Sequence, residues 1–383
     1  MQVRDVEPVL FISNKLSNPN AGTESQLLNL INHLPRDRFK PKLLVLQRSA
    51  FTDSGALSCD VDALGYSSLQ DPRTWLAFWR YARRAYSEGY RLAHIFFHDP
   101  SIIAPPLLHA AGIRSIISRR DMGYWYNKWY LFVLRITGRF ASKVVVNSRA
   151  VGEIAVSEEH IRGDKVELIY NGYDLPENAQ QSLVQDIREI KDNGLGPIIF
   201  LVANFRPLKR IEDAIQALSL LSKESVDAQL VVIGSGDWLP LESLAEGLGI
   251  SDRVHFLGGR KDVKAYLPFG DIGILCSESE GYSNSVVEYM QAGLPAVVSD
   301  VGGNREAVIH GETGFRYPVK NVDQLSKHLL FLLNHPEIAR EMGSSGKVLA
   351  VERHNLQKMI GAHVELYDMV LGNTDCSHIS GEY

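Results

Sequence analysis

Two glutamates eight residues apart, Glu280 and Glu288, are the strongest candidates for chemistry in this sequence. They lie where an apolar segment typical of a buried strand, 272–276, is followed by a helical pattern that starts near 286. Such a junction exposes unpaired backbone N–H groups and the positive end of the helix dipole, which together suit a phosphate. One carboxylate could then reach a sugar hydroxyl and the other a ribose on the far side of the phosphate. The alternative is that Ser285 and Glu288 form a capping box and Glu280 is a solvated loop acid.

The residues that follow this pair make the functional interpretation stronger. The motifs that support it are Glu-x7-Glu, Ala292-Gly293-Leu294-Pro295, the run 297–303, Glu306 and Gly311-Glu312-Thr313-Gly314. Together they resemble the retaining glycosyltransferases of family 4. The resemblance implies an α/β fold of the GT-B type, in which two Rossmann-like, doubly wound parallel-sheet domains face each other across a cleft. It also implies that a nucleotide sugar binds mainly to the second domain and an acceptor mainly to the first.

The same resemblance implies roles for the residues of this stretch. Glu288 would hold the ribose hydroxyls, and Glu280 would orient the donor sugar. The amides around Ser285 and Val286 would bind the diphosphate. The backbone that would face the donor sugar belongs to Gly281, Tyr282, Ser283 and Asn284.

A basic segment, 204–210, follows the first strand pattern of the second half of the chain. Arg206 offers a planar fork and Lys209 a mobile point charge, and both could reach a diphosphate. They would stabilise the negative charge that the leaving nucleotide gains. The neighbouring Arg210 has no assigned role. The alternative is a solvated basic turn.

Two histidines occur in the segment 94–100, which we predict to end the third long strand. On a strand, His94 and His98 would share one face. A metal pair would lack a third close ligand, so we predict no metal here. His98 matches the position at which the resembled family contacts the donor sugar, and His94 is interpreted as a hydrogen-bonded structural histidine.

Three glycine loops follow predicted strands and could approach a ligand closely. Gly22 lies in the loop after the first strand, where Ala21 replaces the first glycine of the usual Gly-Gly pair. Gly234 belongs to a lone Gly-x-Gly, which is weak evidence for phosphate and does not support an NAD enzyme. Gly258 lies in 253–259, which resembles the family segment whose backbone meets the nucleobase.

A short acidic motif, Asp60-Val61-Asp62, matches the DxD pattern that holds a metal in the other large glycosyltransferase fold. The pattern is common, and the two-block organisation of this chain argues against that fold. Chance is therefore the favoured explanation. We predict neither a metal nor a cofactor, since the nucleotide sugar is a substrate.

Two features in the first half of the chain could bind the acceptor. Arg119, Arg120 and Asp121 end a predicted strand and could bind an acceptor phosphate or sugar. The segment 114–143 contains seven basic residues, seven aromatic residues and one acid, Asp121. On a helix, the residues that form one apolar stripe are Trp125, Trp129, Phe132 and Ile136.

A second segment of the same character begins near Trp75 and carries several arginines. Basic, aromatic helices can rest on an anionic membrane, so a polyprenyl-linked acceptor and peripheral contact with the inner face of a membrane are expectations. The alternative is that both helices bury their aromatic stripes in the domain.

The composition bounds the remaining function classes. With 383 residues the chain is long enough for two domains. Its formal net charge of −5 argues against nucleic-acid binding. The three cysteines form no CxxC pair, which fits a reducing compartment. The sequence shows neither a signal-peptide pattern nor an apolar run long enough to span a bilayer, so we expect a cytoplasmic protein.

Alternation of short apolar runs with longer amphipathic segments predicts two doubly wound parallel sheets. The predicted N-terminal, acceptor-binding domain covers 1–175 and is completed by a C-terminal helix at about 356–383. A linker, interpreted as a helix, covers about 175–196. The nucleotide-sugar-binding domain covers 197–355.

The resemblance to family 4, with which these features agree, implies a metal-independent retaining hexosyltransferase that serves cell-surface polysaccharide or glycolipid synthesis. Its partners would be a nucleotide sugar and a glycan or lipid-linked acceptor. A nucleotide-sugar epimerase on the same fold is the closer alternative. A non-catalytic sugar- or nucleotide-binding partner subunit is the other, and it should have lost the charged residues that this chain keeps.

Overall fold

The computed structural model describes residues 6–19, 22–66, 68–174, 184–193, 196–260 and 262–373. The chain divides into two compact units. The first unit runs to Gly172 and includes the segment that begins at Leu356, and the second unit extends from Tyr173 to Asn355. Each unit contains one parallel sheet with helices around it, so the predicted pair of Rossmann-like domains is confirmed.

The strands of the first unit are β1 (Glu7–Ser13), β2 (Phe39–Val45), β3 (Asp60–Ala63), β4 (Leu92–Ile95), β5 (Arg114–Arg119), β6 (Lys143–Val146) and β7 (Val166–Leu168). Their order in the sheet is β3-β2-β1-β4-β5-β6-β7. Because the chain reverses its direction of travel between β1 and β4, the carboxyl ends of these two strands flank a topological switch point.

The helices of the first unit are α1 (Gly22–His33), α2 (Ala50–Asp53), α3 (Pro72–Ser87), α4 (His98–Ala111), α5 (Lys128–Thr137), α6 (Arg149–Ser157) and, at the end of the described chain, α14 (Leu356–Leu371). Two separate apolar cores form because successive strand residues point to opposite faces. Val9 and Phe11 of β1 join the core beneath α1 and α14. Leu10 and Ile12 join the core beneath α3, α4 and α6.

Helix α14 is tied to the first sheet by a buried polar contact as well as by its apolar residues. His94 Nδ1 lies 2.7 Å from Tyr367 Oη, and its Nε2 lies 2.9 Å from Ser118 Oγ. Burial lowers the pKa of His94 below the ordinary histidine value, with smaller contributions from His363 and Arg120. The structure therefore places His94 in the interior as a neutral, hydrogen-bonded side chain.

The strands of the second unit are β8 (Ile198–Val202), β9 (Gln229–Ile233), β10 (Val254–Gly258), β11 (Ile272–Leu275), β12 (Ala296–Ser299) and β13 (Gly314–Tyr317). Their order is β10-β9-β8-β11-β12-β13, with a switch point between β8 and β11. The helices are α7 (Gln185–Asn193), α8 (Ile211–Lys223), α9 (Leu239–Gly247), α10 (Asn284–Ala292), α11 (Asn304–Ala307), α12 (Val322–Asn334) and α13 (Pro336–Arg353).

Tyr289 of α10 lies over the switch point of the second sheet. Its hydroxyl accepts a hydrogen bond from Val202 N at 2.7 Å and donates to Ile274 O at 3.2 Å, so it connects β8 and β11. The ring fits because residue 273 is a glycine: a Cβ there would lie 2.3 Å from the tyrosine ring. This contact fixes α10, and with it the residue before Tyr289, against the sheet.

The predicted linker helix is described in part. Helix α7 occupies 185–193, while 175–183 and 194–195 lie outside the described residues. The tail after 373 also lies outside them.

Candidate active site

The junction of β11 and α10 contains the glutamate pair, and the helix starts earlier than the capping-box alternative requires. Ser283 is the N-cap, and its side chain accepts a hydrogen bond from Val286 N. Helix α10 then begins at Asn284, so Glu288 is its fifth residue rather than a capping partner. The Ser285–Glu288 capping box is therefore wrong, and the Glu288 carboxyl has no capping role.

The Glu288 side chain is partly buried, and no other described side chain compensates its carboxyl. Burial raises its pKa to about 7; Lys264 opposes this rise and Asp262 adds to it. Among the described residues, no hydrogen bond or ion pair satisfies this carboxyl. A carboxyl that is partly withdrawn from water without a partner is costly for a fold, and such groups concentrate at ligand sites.

Glu280, by contrast, is held by two neighbours. Its Oε1 accepts from Lys209 Nζ at 2.5 Å and from Ser277 Oγ at 2.6 Å, and only a tenth of its side chain is exposed. The loop is braced from below by Gly303, whose amide donates to Glu280 O at 3.0 Å. Two residues predicted separately, one for the sugar and one for the diphosphate, therefore form a single ion pair.

The three cations of the basic segment after β8 differ in the contacts that they make. The structure describes no hydrogen bond or ion pair for the exposed Arg206 guanidinium. Lys209 uses one of its three donors on Glu280. Arg210 adopts a left-handed conformation with φ of +48° and grips Asp213 with two hydrogen bonds of 2.7 and 2.6 Å. Arg210 is thus structural, whereas Arg206 and Lys209 retain donors for a ligand.

The glycine loops after β9 and β10 pack tightly. A Cβ on Gly234 would lie 1.9 Å from Ala203 O, so only glycine fits between the ends of β8 and β9. Gly258 has a φ of +70°, which also favours glycine. Both residues are required by the backbone itself, and a role in ligand contact stays a prediction.

An aromatic cluster at the same edge was missed by the sequence analysis. The ring of Phe205 lies 5.8 Å from that of Trp238 and 5.9 Å from that of Phe256, and the last two stack nearly parallel. Phe205 and Trp238 follow the ends of β8 and β9, and Phe256 is the middle residue of β10. The positions of Phe205 and Trp238 were the available signal, since carboxyl ends of parallel strands meet at one edge.

Two hydrogen bonds link the start of α10 and the loop before it to residues near the two ends of the second unit. Tyr173 hydrogen-bonds through its hydroxyl to Asn284 Oδ1. Tyr282 Oη lies 2.8 Å from His354 Nε2. The loop that carries four of the predicted donor-contacting residues is therefore held at two positions, Tyr282 and Asn284.

In the first unit, the predicted strand end at 94–100 is wrong. Strand β4 stops at Ile95, and His98 is the first residue of α4. Phe97 takes a φ of +69°, an unfavourable conformation for a side chain of its size, and this turn separates His98 from the strand face of His94. His98 Nε2 lies 3.2 Å from Asp99 Oδ1, and its ring lies 4.9 Å from the ring of Trp125.

The three residues proposed for the acceptor prove to be structural in most of their contacts. Arg119 donates to both carboxylate oxygens of Glu159, at 2.7 and 2.8 Å, and to Ser101 Oγ at 2.8 Å. Its side chain is almost fully buried. Arg119 is therefore corrected from an acceptor ligand to a structural cation.

Asp121 and Arg120 shape the loop that follows β5. Asp121 Oδ1 accepts from Gly123 N at 2.8 Å and from Trp125 Nε1 at 3.0 Å. Arg120 hydrogen-bonds to Asn171 and lies 5.4 Å from the ring centre of Phe96. The Asp121 contacts fix the indole of Trp125 beside His98, so the loop is ordered by the protein itself.

The remaining candidates are quickly placed. Gly22 is the exposed first residue of α1, and Ala21 lies outside the described residues. Asp62 of the DxD match pairs with Lys42 at 2.9 Å and accepts from Tyr81 Oη at 2.9 Å. The described residues include no group of three or more metal-ligating side chains. Among the helices described, none has the length and apolar character needed to cross a membrane.

Comparison with known families matches both halves of the chain. The model of glycosyl transferases group 1 matches residues 185–348, and that of glycosyltransferase family 4 matches 21–177. The chain belongs to the group 1 and family 4 glycosyltransferases. The resemblance inferred from the Glu-x7-Glu region is therefore confirmed.

Individual relatives of this glycosyltransferase are distant. N-acetyl-alpha-D-glucosaminyl L-malate synthase of Bacillus anthracis is 29% identical over 58% of this chain and 59% of its own length. Trehalose synthase of Pyrococcus horikoshii is 29% identical over 46% of this chain and 44% of its own. The chain thus spans about half the length of these curated relatives. A crystal structure of Anabaena HepE with UDP and glucose has a TM-score of 0.80 at 19% identity and covers 95% of this chain and 100% of its own, which shows the common fold.

Proposed function

We propose that this glycosyltransferase is a retaining hexosyltransferase that moves a sugar from a nucleotide sugar to a glycan or lipid-linked acceptor. The observation that carries the proposal is the partly buried carboxyl of Glu288, which has a pKa of about 7 and no partner among the described residues. A carboxylate in this state gains most from two neighbouring hydroxyls, because each can donate a charge-assisted hydrogen bond. The vicinal hydroxyls of a ribose supply that pair.

The diphosphate would bind beside this carboxylate. The first turn of α10 presents N–H groups and the positive end of a nine-residue helix. Arg206 and the free donors of Lys209 supply positive charge from the loop after β8. These groups would stabilise the charge that develops on the leaving nucleotide, which is the task that a metal performs elsewhere. We therefore propose a metal-independent reaction.

The donor sugar would lie against the 280–284 loop. Because Glu280 is neutralised by Lys209 and hydrogen-bonded by Ser277, it is better suited to hold a sugar hydroxyl than to attack the anomeric carbon. Retention would then follow from attack by the acceptor hydroxyl on the face that the diphosphate leaves. The bond from the anomeric carbon to the phosphate oxygen breaks, the bond to the acceptor oxygen forms, and the acceptor proton passes to the departing phosphate.

The acceptor would be a growing surface polysaccharide or glycolipid, met at the inner face of a membrane. The basic, aromatic helix α5 supports this part of the proposal, whereas α3 buries Phe78 and Ala82 in the core of the first unit. His98 and Trp125, whose rings lie together beside the switch point of the first sheet, are the candidates to contact a sugar. Aromatic rings bind the apolar faces of sugars, and His98 adds a hydrogen-bonding group.

Isothermal titration of UDP, GDP and ADP, each with magnesium and with EDTA, tests the nucleotide site. UDP comes first, since the Anabaena structural relative was solved with UDP. We expect one nucleotide to bind equally in both conditions and Glu288→Ala to abolish its binding. Glu341→Gln, a change at an exposed glutamate on α13, is the matched control. Binding of no nucleotide by the wild type would contradict the proposal.

Turnover requires a second measurement. With the nucleotide known, incubation with its sugar conjugates and a polyprenyl-phosphate-linked acceptor should yield a product whose anomeric configuration is read by NMR. An inverted product would refute retention. Consumption of the donor without an acceptor, yielding an isomeric sugar, would identify an epimerase instead.

A further inference from the structure

Helix α5 lies outside the two core layers of the first unit. It packs on α4 and on the short turn 138–140 that follows it, and α4 in turn packs on β4 and β5. Of its ten residues, only Leu134 and Thr137 are buried. A helix this rich in apolar residues normally buries a broad stripe, so most of its apolar surface has found no place in the fold.

The exposed residues of α5 and of the turn after it are together called the α5 face. Its apolar members are Trp129, Phe132, Ile136 and Phe140, which are 70%, 56%, 43% and 38% exposed. The first three fall at i, i+3 and i+7 and therefore share one side of the helix. The rings of Trp129 and Phe132 lie 6.2 Å apart.

The alternative that this helix buries its aromatic stripe in the domain is thus wrong for Trp129, Phe132 and Ile136. Trp125, the fourth member of the predicted stripe, precedes the helix and lies beside His98. For the second basic, aromatic segment the same alternative holds, because α3 buries its apolar side in the core.

The α5 face is rimmed by cations. Lys128 and Arg139 are exposed, and the structure describes no ion pair for either. Arg135 donates to the main-chain carbonyl of Glu158, which brings one acid from the end of α6 near the rim. Asp121 is the only acid in 114–143, and its carboxylate is turned toward Gly123 and Trp125. The face is therefore positive, although the whole chain has a formal charge of −5.

We propose that the α5 face docks this glycosyltransferase on the surface of an anionic lipid bilayer. Aromatic rings settle at the boundary between headgroups and acyl chains, and lysine or arginine beside them meets anionic headgroups. A protein partner of ordinary composition would not require this segregation of positive charge in an acidic chain. The proposal rests on the proposed function in one respect, because a lipid-linked acceptor would then be met at the same surface.

Co-sedimentation with large unilamellar vesicles tests the docking directly and needs neither donor nor acceptor. The full chain is mixed with vesicles of phosphatidylcholine alone or of phosphatidylcholine with phosphatidylglycerol. We expect binding to the mixed vesicles only, weakened by high salt because screening acts on exposed charges. Equal binding to both vesicle types, or no binding to either, would overturn the proposal.

Three variants separate the contributions. The double variant Trp129→Ser/Phe132→Ser should reduce the partition coefficient at least tenfold. Lys128→Gln/Arg139→Gln should reduce it about fivefold per charge removed, since each cation near an anionic surface contributes about 1 kcal/mol. The control is Lys347→Gln/Val348→Ser, which removes an exposed cation and an exposed apolar residue from α13 of the second unit and should change nothing.

Two further readouts distinguish the ways in which the proposal can fail. Light scattering after gel filtration should give the same mass for the wild type and the serine variant; a wild-type dimer that the variant loses would assign the face to a second copy of the chain instead. Nucleotide binding should persist in every variant. Absent vesicle binding with intact nucleotide binding would refute the docking alone, whereas the reverse would refute the proposed function alone.

Discussion

The carboxyl edges of the two sheets use charged residues in opposite ways. In the second unit, Glu288 and Arg206 have no hydrogen-bond or ion-pair partners among the described residues. Both side chains at that edge can therefore still form hydrogen bonds with a ligand. In the first unit, Arg119, Glu159 and Asp121 are satisfied by one another and by their own loop. The edge of the second sheet can bind a charged ligand. At the edge of the first sheet the charged residues are already paired, and aromatic rings remain available. A highly charged donor and a mostly neutral sugar acceptor would need this division.

The largest effect should come from breaking the buried ion pair of the first unit. Glu159→Gln leaves Arg119 charged and buried without its carboxylate, which should cost about 3–5 kcal/mol of stability. Thermal and urea unfolding should show the first unit melting earlier. The double variant Arg119→Met/Glu159→Gln removes both charges and should recover part of the loss; if it unfolds as easily as Glu159→Gln, the ion pair is not what holds the loop.

A substitution at the edge of the second sheet should lower nucleotide affinity rather than the stability of the fold. Glu288→Gln keeps the shape of the side chain but loses the charge, and we expect nucleotide affinity to fall about 100-fold, or about 2.7 kcal/mol. Titration calorimetry measures it. An affinity within threefold of the wild type would show that Glu288 does not hold the ribose.

The same substitution should raise stability above neutral pH. The folded-state pKa of Glu288, about 7, exceeds the ordinary value of 4.5, so the folded protein holds a proton that the unfolded chain has released. Wild-type stability therefore falls as the pH rises from 4.5 to 7, while that of Glu288→Gln does not. We expect the variant to be more stable by about 3 kcal/mol at pH 8 and equal below pH 4.5. Melting curves that run parallel across this range would contradict the shifted pKa.

Nucleotide affinity should itself depend on pH. Ribose hydroxyls favour the ionised carboxylate, so binding at pH 6 must first release the proton from Glu288. Affinity should therefore increase about tenfold between pH 6 and pH 8, with proton release visible as a buffer-dependent enthalpy. The phosphate of the nucleotide titrates in the same range, so Glu288→Gln, in which the increase should shrink, is the control.

The smallest effect should come from Arg206, the exposed cation of the basic loop. Arg206→Gln should weaken binding of a nucleoside diphosphate about fivefold and leave the nucleoside unaffected, because an exposed cation is partly screened. Lys42→Gln, in a cation of the first unit that already pairs with Asp62, should leave both affinities unchanged. Equal loss for the nucleoside would place Arg206 elsewhere than at the diphosphate.

Most of the fold and the family could be predicted from the sequence because their signals are local. Buried runs such as 272–275 and the Glu-x7-Glu spacing lie within short windows. The pairing of Lys209 with Glu280 could not be predicted, since the residues are 71 positions apart and meet only through the sheet order. The break at Phe97 could not be predicted either, because a positive φ is rare for phenylalanine and the residue type gives no sign of it. The exposure of α5 depends on which elements pack against it in the folded unit. The periodicity of its own sequence cannot predict that.

The return of α14 to the first unit sets an order of events during synthesis. Leu356, Ile360 and Tyr367 complete the apolar core beneath α1, yet they follow the whole of the second unit along the chain. A ribosome delivers residues from the N-terminus, so the second unit can finish folding while the first still exposes that core. Expression of residues 1–172 alone should therefore give an aggregation-prone product, whereas residues 173–355 contain every strand of their own sheet and should fold when synthesised separately.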